Sequence, residues 1–206
     1  MDNKQHWEQV YANKASNAVS WFQERADGSM RLIHLTNIGK DATIIDVGGG
    51  ASTLIDNLLL ENYSNLTVLD LSAKALDKSK QRVGNRADSV TWLEGDVTQL
   101  LLQAHHYDLW HDRAVFHFLT DPIDRKAYVQ QVMKSVRPGG HVIVSTFADD
   151  GPDKCSGLPT MRYSPNSLHA EFGDAFKLLI SEKEIHHTPF GTEQKFIYCY
   201  WQLQKG

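Results

Sequence analysis

Thr43-Ile44-Ile45-Asp46-Val47-Gly48-Gly49-Gly50-Ala51-Ser52 is a short apolar run that stops at an acid and three consecutive glycines. β-Branched residues in an uninterrupted run predict a strand buried on both faces. The glycines predict a turn whose backbone comes very close to a ligand, because residues without a Cβ leave that room. Leu54, Ile55, Leu58 and Leu59 follow at helical spacing. Ser52 to Leu60 is therefore expected to be a helix whose first N–H groups face the same ligand.

The pattern repeats outward from this unit. Asn65-Leu66-Thr67-Val68-Leu69-Asp70 is a second apolar run ending in an acid, with Ser72 placed to cap a helix through about Val83. Val90–Leu93 followed by Glu94-Gly95-Asp96 gives a third strand, and Tyr107–Asp112 a fourth. Pro122 sits in the first turn of a helix that runs to Arg137-Pro138-Gly139-Gly140, and His141–Phe147 is a fifth strand. Strands alternating with helices predict right-handed βαβ units and a doubly wound, mainly parallel sheet. Ahead of the core, aromatics at Trp7, Tyr11, Trp21 and Phe22 are read two ways: they close one edge of the core, or they lid the ligand site. Ser29–Ile38 carries a helical pattern stopped by Gly39. At the other end, Phe176–His187 and Gln194–Leu203 form a terminal β-hairpin.

One α/β domain over 1–206 is expected, with residues 1–40 as an N-terminal helical cap, 148–166 as a substrate-side loop and 176–203 as the hairpin. The 206 residues carry a formal net charge of −4, which leaves no basic excess for a nucleic-acid partner. No apolar run approaches a spanning helix, and the mean hydropathy of −0.40 agrees. Cys155 and Cys199 are too few for a disulfide framework, which suits the cytoplasm.

In an open parallel sheet, ligands bind outside the C-terminal strand ends where the strand order reverses. Asp70 follows Asp46 by 24 residues, the place for an acid that accepts from ribose hydroxyls. A dinucleotide fingerprint would continue Gly48-x-Gly50-x-x-Gly, but Thr53 stands at the last position, which argues against a pyrophosphate. Taken together, Asp46-Val47-Gly48-Gly49-Gly50, Asp70, Gly95-Asp96-Val97, Tyr107–His111 and Arg137-Pro138-Gly139-Gly140 resemble the class I, Rossmann-like S-adenosylmethionine-dependent methyltransferases. The resemblance covers about residues 40–147. It implies seven strands in the order 3-2-1-4-5-7-6, with the last antiparallel and slotted between the fifth and sixth.

It further implies S-adenosylmethionine as cofactor and a role for each matched residue. Backbone at Gly48, Gly49 and Gly50 packs on its amino-acid part, and Asp46 acts on its ammonium directly or through water. Asp70 holds the ribose with Leu71 against the adenine, Asp96 accepts from the adenine amino group, Val97 offers a backbone N–H, and His111 faces the methionine end. His111 is also the expected catalytic base, since imidazole titrates near neutrality. Arg113, Cys155, Arg162, Tyr163 and His186 are the expected substrate residues, with His187 and Phe190 nearby; Arg113 and Arg162 are placed to clamp a carboxylate, which would suit an organic acid. No ligand spacing supports a metal. The expected acceptor is a small molecule. A protein lysine or arginine, a nicotinamide-dependent oxidoreductase and a noncatalytic cofactor-binding protein remain alternatives.

Overall fold

The structure is a computed structural model that describes residues 3–205. Its helices are α1 (Asn3–Asn13), α2 (Asp27–Leu35), α3 (Leu54–Leu60), α4 (Ala73–Val83), α5 (Pro122–Ser135) and α6 (Pro165–Phe172). The strands are β1 (Thr43–Val47), β2 (Asn65–Asp70), β3 (Val90–Glu94), β4 (Tyr107–Arg113), β5 (Val136–Phe147), β6 (Lys154–Cys155), β7 (Leu158–Pro159), β8 (Phe176–His187) and β9 (Glu193–Leu203). Seven of them form one sheet in the order β3-β2-β1-β4-β5-β9-β8. Strands β1 to β5 are parallel, while β9 runs antiparallel between β5 and β8. Counting only this sheet, that is the expected order 3-2-1-4-5-7-6.

Burial on both faces explains why β1 reads as an unbroken apolar run. Ile45, Trp110, Val142 and Val144 face α5 and α6, packing with Tyr128, Val132, Leu168 and Phe172. Their neighbours Ile44, Leu109 and Ile143 face the other way, onto Met30, Leu32 and Ile33 of α2 and Leu54, Ile55 and Leu58 of α3. Successive side chains of a strand alternate between faces, so every position in the run is apolar when both faces are covered.

Three boundaries differ from expectation. The N-terminal forty residues do two jobs: α2 packs into the sheet core, while only α1 and the chain up to Trp21 sit over the strand ends. β5 begins at Val136, with an irregular register between the Tyr107↔Val136 and Leu109↔His141 pairs that accommodates the Pro138-Gly139-Gly140 segment. The 148–166 loop contains the β6–β7 hairpin, turned through Ser156 (φ 52°) and Gly157 (φ 83°), the positive pair that matches strand twist.

Candidate active site

The strand order reverses between β1 and β4, and a cavity of about 230 Å³ opens at the C-terminal ends of those strands. Of the glycine turn, Gly48 lines it, while Gly49 and Gly50 lie behind, against Asp46 and Asp70. Gly48 adopts φ +70° and donates its N–H to Leu69 O at 2.7 Å, and a Cβ there would overlap Val115. A Cβ on Gly49 would overlap the Asp46 carboxylate, and one on Gly50 would lie 2.6 Å from both Asp70 Oδ2 and Ala75 Cβ. Each glycine is thus required by a neighbour as well as by the turn. The helix after the turn starts later than expected, at Leu54, whose N–H is capped by Ser52 Oγ at 3.1 Å. Thr53, the residue that breaks the dinucleotide fingerprint, donates its hydroxyl to Gln23 O at 3.1 Å and so ties the N-terminal segment to the turn.

Asp70 lines the cavity at the tip of β2. Its Oδ2 accepts from Gly50 N–H at 3.0 Å and its Oδ1 from Ser72 N–H at 2.8 Å. Burial outweighs these bonds and, with the nearby Asp46 and Glu8 carboxylates, raises the Asp70 pKa to about 6. Leu71, Asp96 and Val97 line the same wall. Asp96 Oδ1 accepts from Thr98 N–H and Oγ1, so the acid caps its own turn, while Oδ2 has only a long 3.4 Å contact to Gln99.

Asp46 and His111 stand behind the wall. His111 Nδ1 donates to Asp46 Oδ1 at 2.7 Å, and Nε2 lies 2.8 Å from Ser29 Oγ. Ser29 is 3.4 Å from Tyr198 Oη, which accepts from Arg113 Nε at 3.0 Å; Arg113 also pairs with Glu184 at 3.2 Å. This buried chain ends at Asp46 Oδ2, which has no hydrogen-bond partner among the described residues. A Ser-His-Asp sequence of contacts invites comparison with a hydrolase triad, but Ser29 and His111 are each 1% exposed and neither lines the cavity.

The expectation that His111 serves as base therefore does not survive its placement. Both ring nitrogens are engaged and the ring is sealed under the turn, so it acts as a strut for Asp46. The substrate residues scatter as well. Arg113 lines the cavity but spends its guanidinium on Glu184, Tyr198, Trp21 O and the face of Phe196. Arg162 is exposed and outside the cavity, so the two arginines do not converge on a carboxylate. Tyr163 is 2% exposed, packed on Phe116, and His186 Nε2 bonds Ser20 O at 2.8 Å; neither reaches the cavity. His187 and Phe190 lie exposed at the far hairpin tip. Cys155 does line the cavity, but burial pushes its thiol up to about 11, away from the thiolate that a nucleophile needs.

The sequence reading missed the segment after β4. Ala114, Val115, Phe118, Leu119 and Thr120 line the cavity. The buried Asp112 holds that segment by accepting from Val115 N–H at 2.8 Å and Phe116 N–H at 3.0 Å. Tyr128 Oη donates to the same carboxylate at 2.6 Å, and Trp110 Nε1 donates to Tyr128. Ala114 takes φ +74°, an unusual conformation for a residue with a side chain and one no motif announces. Trp7, Tyr11 and Trp21 also line the cavity while packing on Ala51 and Ala75, so these N-terminal aromatics both close an edge of the core and border the cavity; Phe22 does not line it.

A family model for a methyltransferase domain matches residues 44–140, from β1 to the glycines before the straight part of β5. This match and the sheet order support a class I, Rossmann-like S-adenosylmethionine-dependent methyltransferase. Among relatives, it is 26% identical to nodulation protein S of Rhizobium tropici over 62% of this chain and 52% of that protein. It is 24% identical to EEF1A lysine methyltransferase 2 of Danio rerio over 71% of this chain and 69% of that one. The lysine methyltransferases excepted, the chain spans about half or less of the length of the curated relatives it matches. A solved SAM-dependent methyltransferase from Anabaena variabilis shares the fold at TM-score 0.74 and 13% identity, over 99% of this chain and 96% of that one.

The site fits the methyltransferase cofactor on its own features. Gly48 lets the turn pass beside the cavity, Asp70, Leu71, Asp96 and Val97 line one wall of it, and the partnerless Asp46 oxygen beneath the turn is a buried acceptor of the sign an ammonium needs. Among the described residues no cluster of metal-ligating side chains exists, and no helix is long and apolar enough to cross a membrane.

Proposed function

We propose that the chain is an S-adenosylmethionine-dependent methyltransferase of a small-molecule acceptor, working in the cytoplasm. The observation that carries the reading is that Gly48, Asp70, Leu71, Asp96 and Val97 meet in one cavity whose other walls include α1, Trp21, the post-β4 segment and the β6–β7 hairpin. Bound there, the cofactor would supply a methyl group activated by its positive sulfur. Asp70 would accept from the ribose hydroxyls, Asp96 Oδ2 from the adenine amino group, and Val97 N–H would meet the ring edge. Asp46 would attract the ammonium as a buried charge beneath the turn, with His111 and Ser29 fixing the carboxylate from behind. Leu71 and Val97 would pack on the adenine faces. Direct displacement at a methyl carbon asks mainly for alignment, and the lid aromatics and Cys155 are placed to orient the acceptor and exclude water.

The organic-acid version of the reading loses support because Arg113 is neutralised by Glu184 and Arg162 lies elsewhere. A protein lysine acceptor is the second reading, favoured by the length over which the chain matches the lysine methyltransferase relative. Tritium transfer from labelled S-adenosylmethionine into a size-fractionated lysate tests the choice. Label in low-mass fractions supports the small molecule, and label confined to macromolecules overturns it.

A further inference from the structure

We propose that the acceptor is a flat heteroaromatic whose ring nitrogen carries no proton, and that its methylation yields a permanently cationic product held by an aromatic box. The proposal deepens the methyltransferase reading and rests on it. Trp7 meets Trp21 at 5.6 Å between ring centroids and 82° between planes, and meets Phe118 at 5.1 Å and 76°. Tyr11 meets Trp21 at 6.3 Å and 80°. Rings set near right angles present walls in several planes, and all four line the cavity. Such walls accept a flat apolar ligand and attract a cation over their faces.

The same cavity has nothing to remove a proton at this end. Among its described lining residues there is no histidine, lysine or glutamate. Asp70 and Asp96 belong to the nucleoside end, and Arg113 is paired. Cys155 stays a thiol, and burial together with the Asp70 charge raises the Tyr11 hydroxyl above its usual range. A phenol would need a base, a carboxylate would need a free cation, and a lysine side chain arrives as ammonium and must lose a proton. A ring nitrogen lone pair needs none of these. It forms the new N–C bond as the C–S bond breaks, the C–S electron pair stays on sulfur, and the positive charge passes from sulfur to nitrogen with no proton released.

The roof also suits a small ligand. Trp7 and Tyr11 project from one face of α1, which is docked through Glu8 Oε1 accepting from Ala73 N–H at 2.7 Å and Lys4 pairing with Glu94 at 2.5 Å. These contacts fix α1 over the β3 tip and the start of α4, and Trp7, meeting Trp21 and Phe118, carries the roof across toward the post-β4 segment.

Calorimetric titration of the full chain saturated with S-adenosylhomocysteine tests this, using N-methylquinolinium and its neutral isostere 1-methylnaphthalene. The cation should bind about tenfold more tightly. Trp21→Phe should keep that preference, whereas Trp21→Leu and Trp7→Leu should each cut it below about threefold. Equal affinity for the two probes, or a preference that survives both leucine variants, overturns the proposal. So does faster tritium transfer to 1-naphthol or a lysine peptide than to quinoline. A protein that binds no S-adenosylhomocysteine refutes the methyltransferase reading itself; one that binds it but does not distinguish the probes refutes only the box.

Discussion

Replacing Gly50 by alanine adds one methyl group where the turn, β2 and α4 meet. The new Cβ would stand 2.6 Å from Asp70 Oδ2 and 2.6 Å from Ala75 Cβ, so neighbours must retreat by roughly 1 Å to reach ordinary contact. Ala75 is fully buried in the first turn of α4 and has nowhere to go. Asp70 is held at 3.0 Å by Gly50 N–H and at 2.8 Å by Ser72 N–H, so moving its carboxylate breaks a charge-assisted bond. Overpacking costs about 1–3 kcal/mol and the lost bond about 1.5–3 kcal/mol. Allowing for partial relaxation, a net loss of about 2–4 kcal/mol lowers the melting temperature of a chain this size by about 5–15 °C. The displaced carboxylate no longer meets the ribose, so S-adenosylhomocysteine affinity should fall about 10- to 100-fold. Calorimetry at saturating folded protein, well below the variant's melting temperature, separates the two effects. Affinity within threefold of the parent together with an unchanged melting temperature would refute the reasoning.

Other perturbations test separate parts of the site. Because the Asp70 pKa is raised to about 6 without ligand, the carboxylate gains a proton as pH falls through 6 and loses an acceptor site. S-Adenosylhomocysteine affinity should hold above pH 7, weaken below 6, and lose that dependence in Asp70→Asn; a flat parent profile from pH 5 to 8 contradicts this. His111→Asn, which removes a strut from Asp46, should destabilise the fold by about 2–4 kcal/mol yet leave the shape of the turnover pH profile unchanged; loss of a titrating limb would restore His111 as base. Tyr128→Phe leaves Trp110 Nε1 and Asp112 Oδ2 each short of a buried partner, so unfolding titrations should show a loss of about 1–3 kcal/mol. Cys155→Ala should retain turnover within a few-fold, and a loss beyond about 100-fold would contradict the inert thiol.

The sheet was legible because its signal is local. Doubly buried strands have to be apolar at every position, and an acid or glycine at each strand tip marks where backbone turns toward a ligand. The cavity-lining positions of Asp70, Asp96 and Gly48 were legible for the same reason, as was the antiparallel hairpin, whose two long runs flank a Pro-Phe-Gly turn. His111 was placed at the right height and the wrong depth. Strand alternation sends it with Leu109 toward α2, and only the presence of Ser29 there shows that the ring is consumed. The post-β4 segment was invisible because Asp112 and Tyr128, 16 residues apart, shape it through a buried contact. Arg113 reads as a substrate clamp until Glu184, 71 residues later, takes its charge.

Determining the structure with S-adenosylhomocysteine bound tests the central claim most directly. The account predicts both ribose hydroxyls within hydrogen-bonding distance of Asp70, the adenine between Leu71 and Val97 with its amino group on Asp96, and the sulfur directed toward Trp7 and Trp21. A nucleoside bound elsewhere, or a ribose that does not touch Asp70, would contradict it.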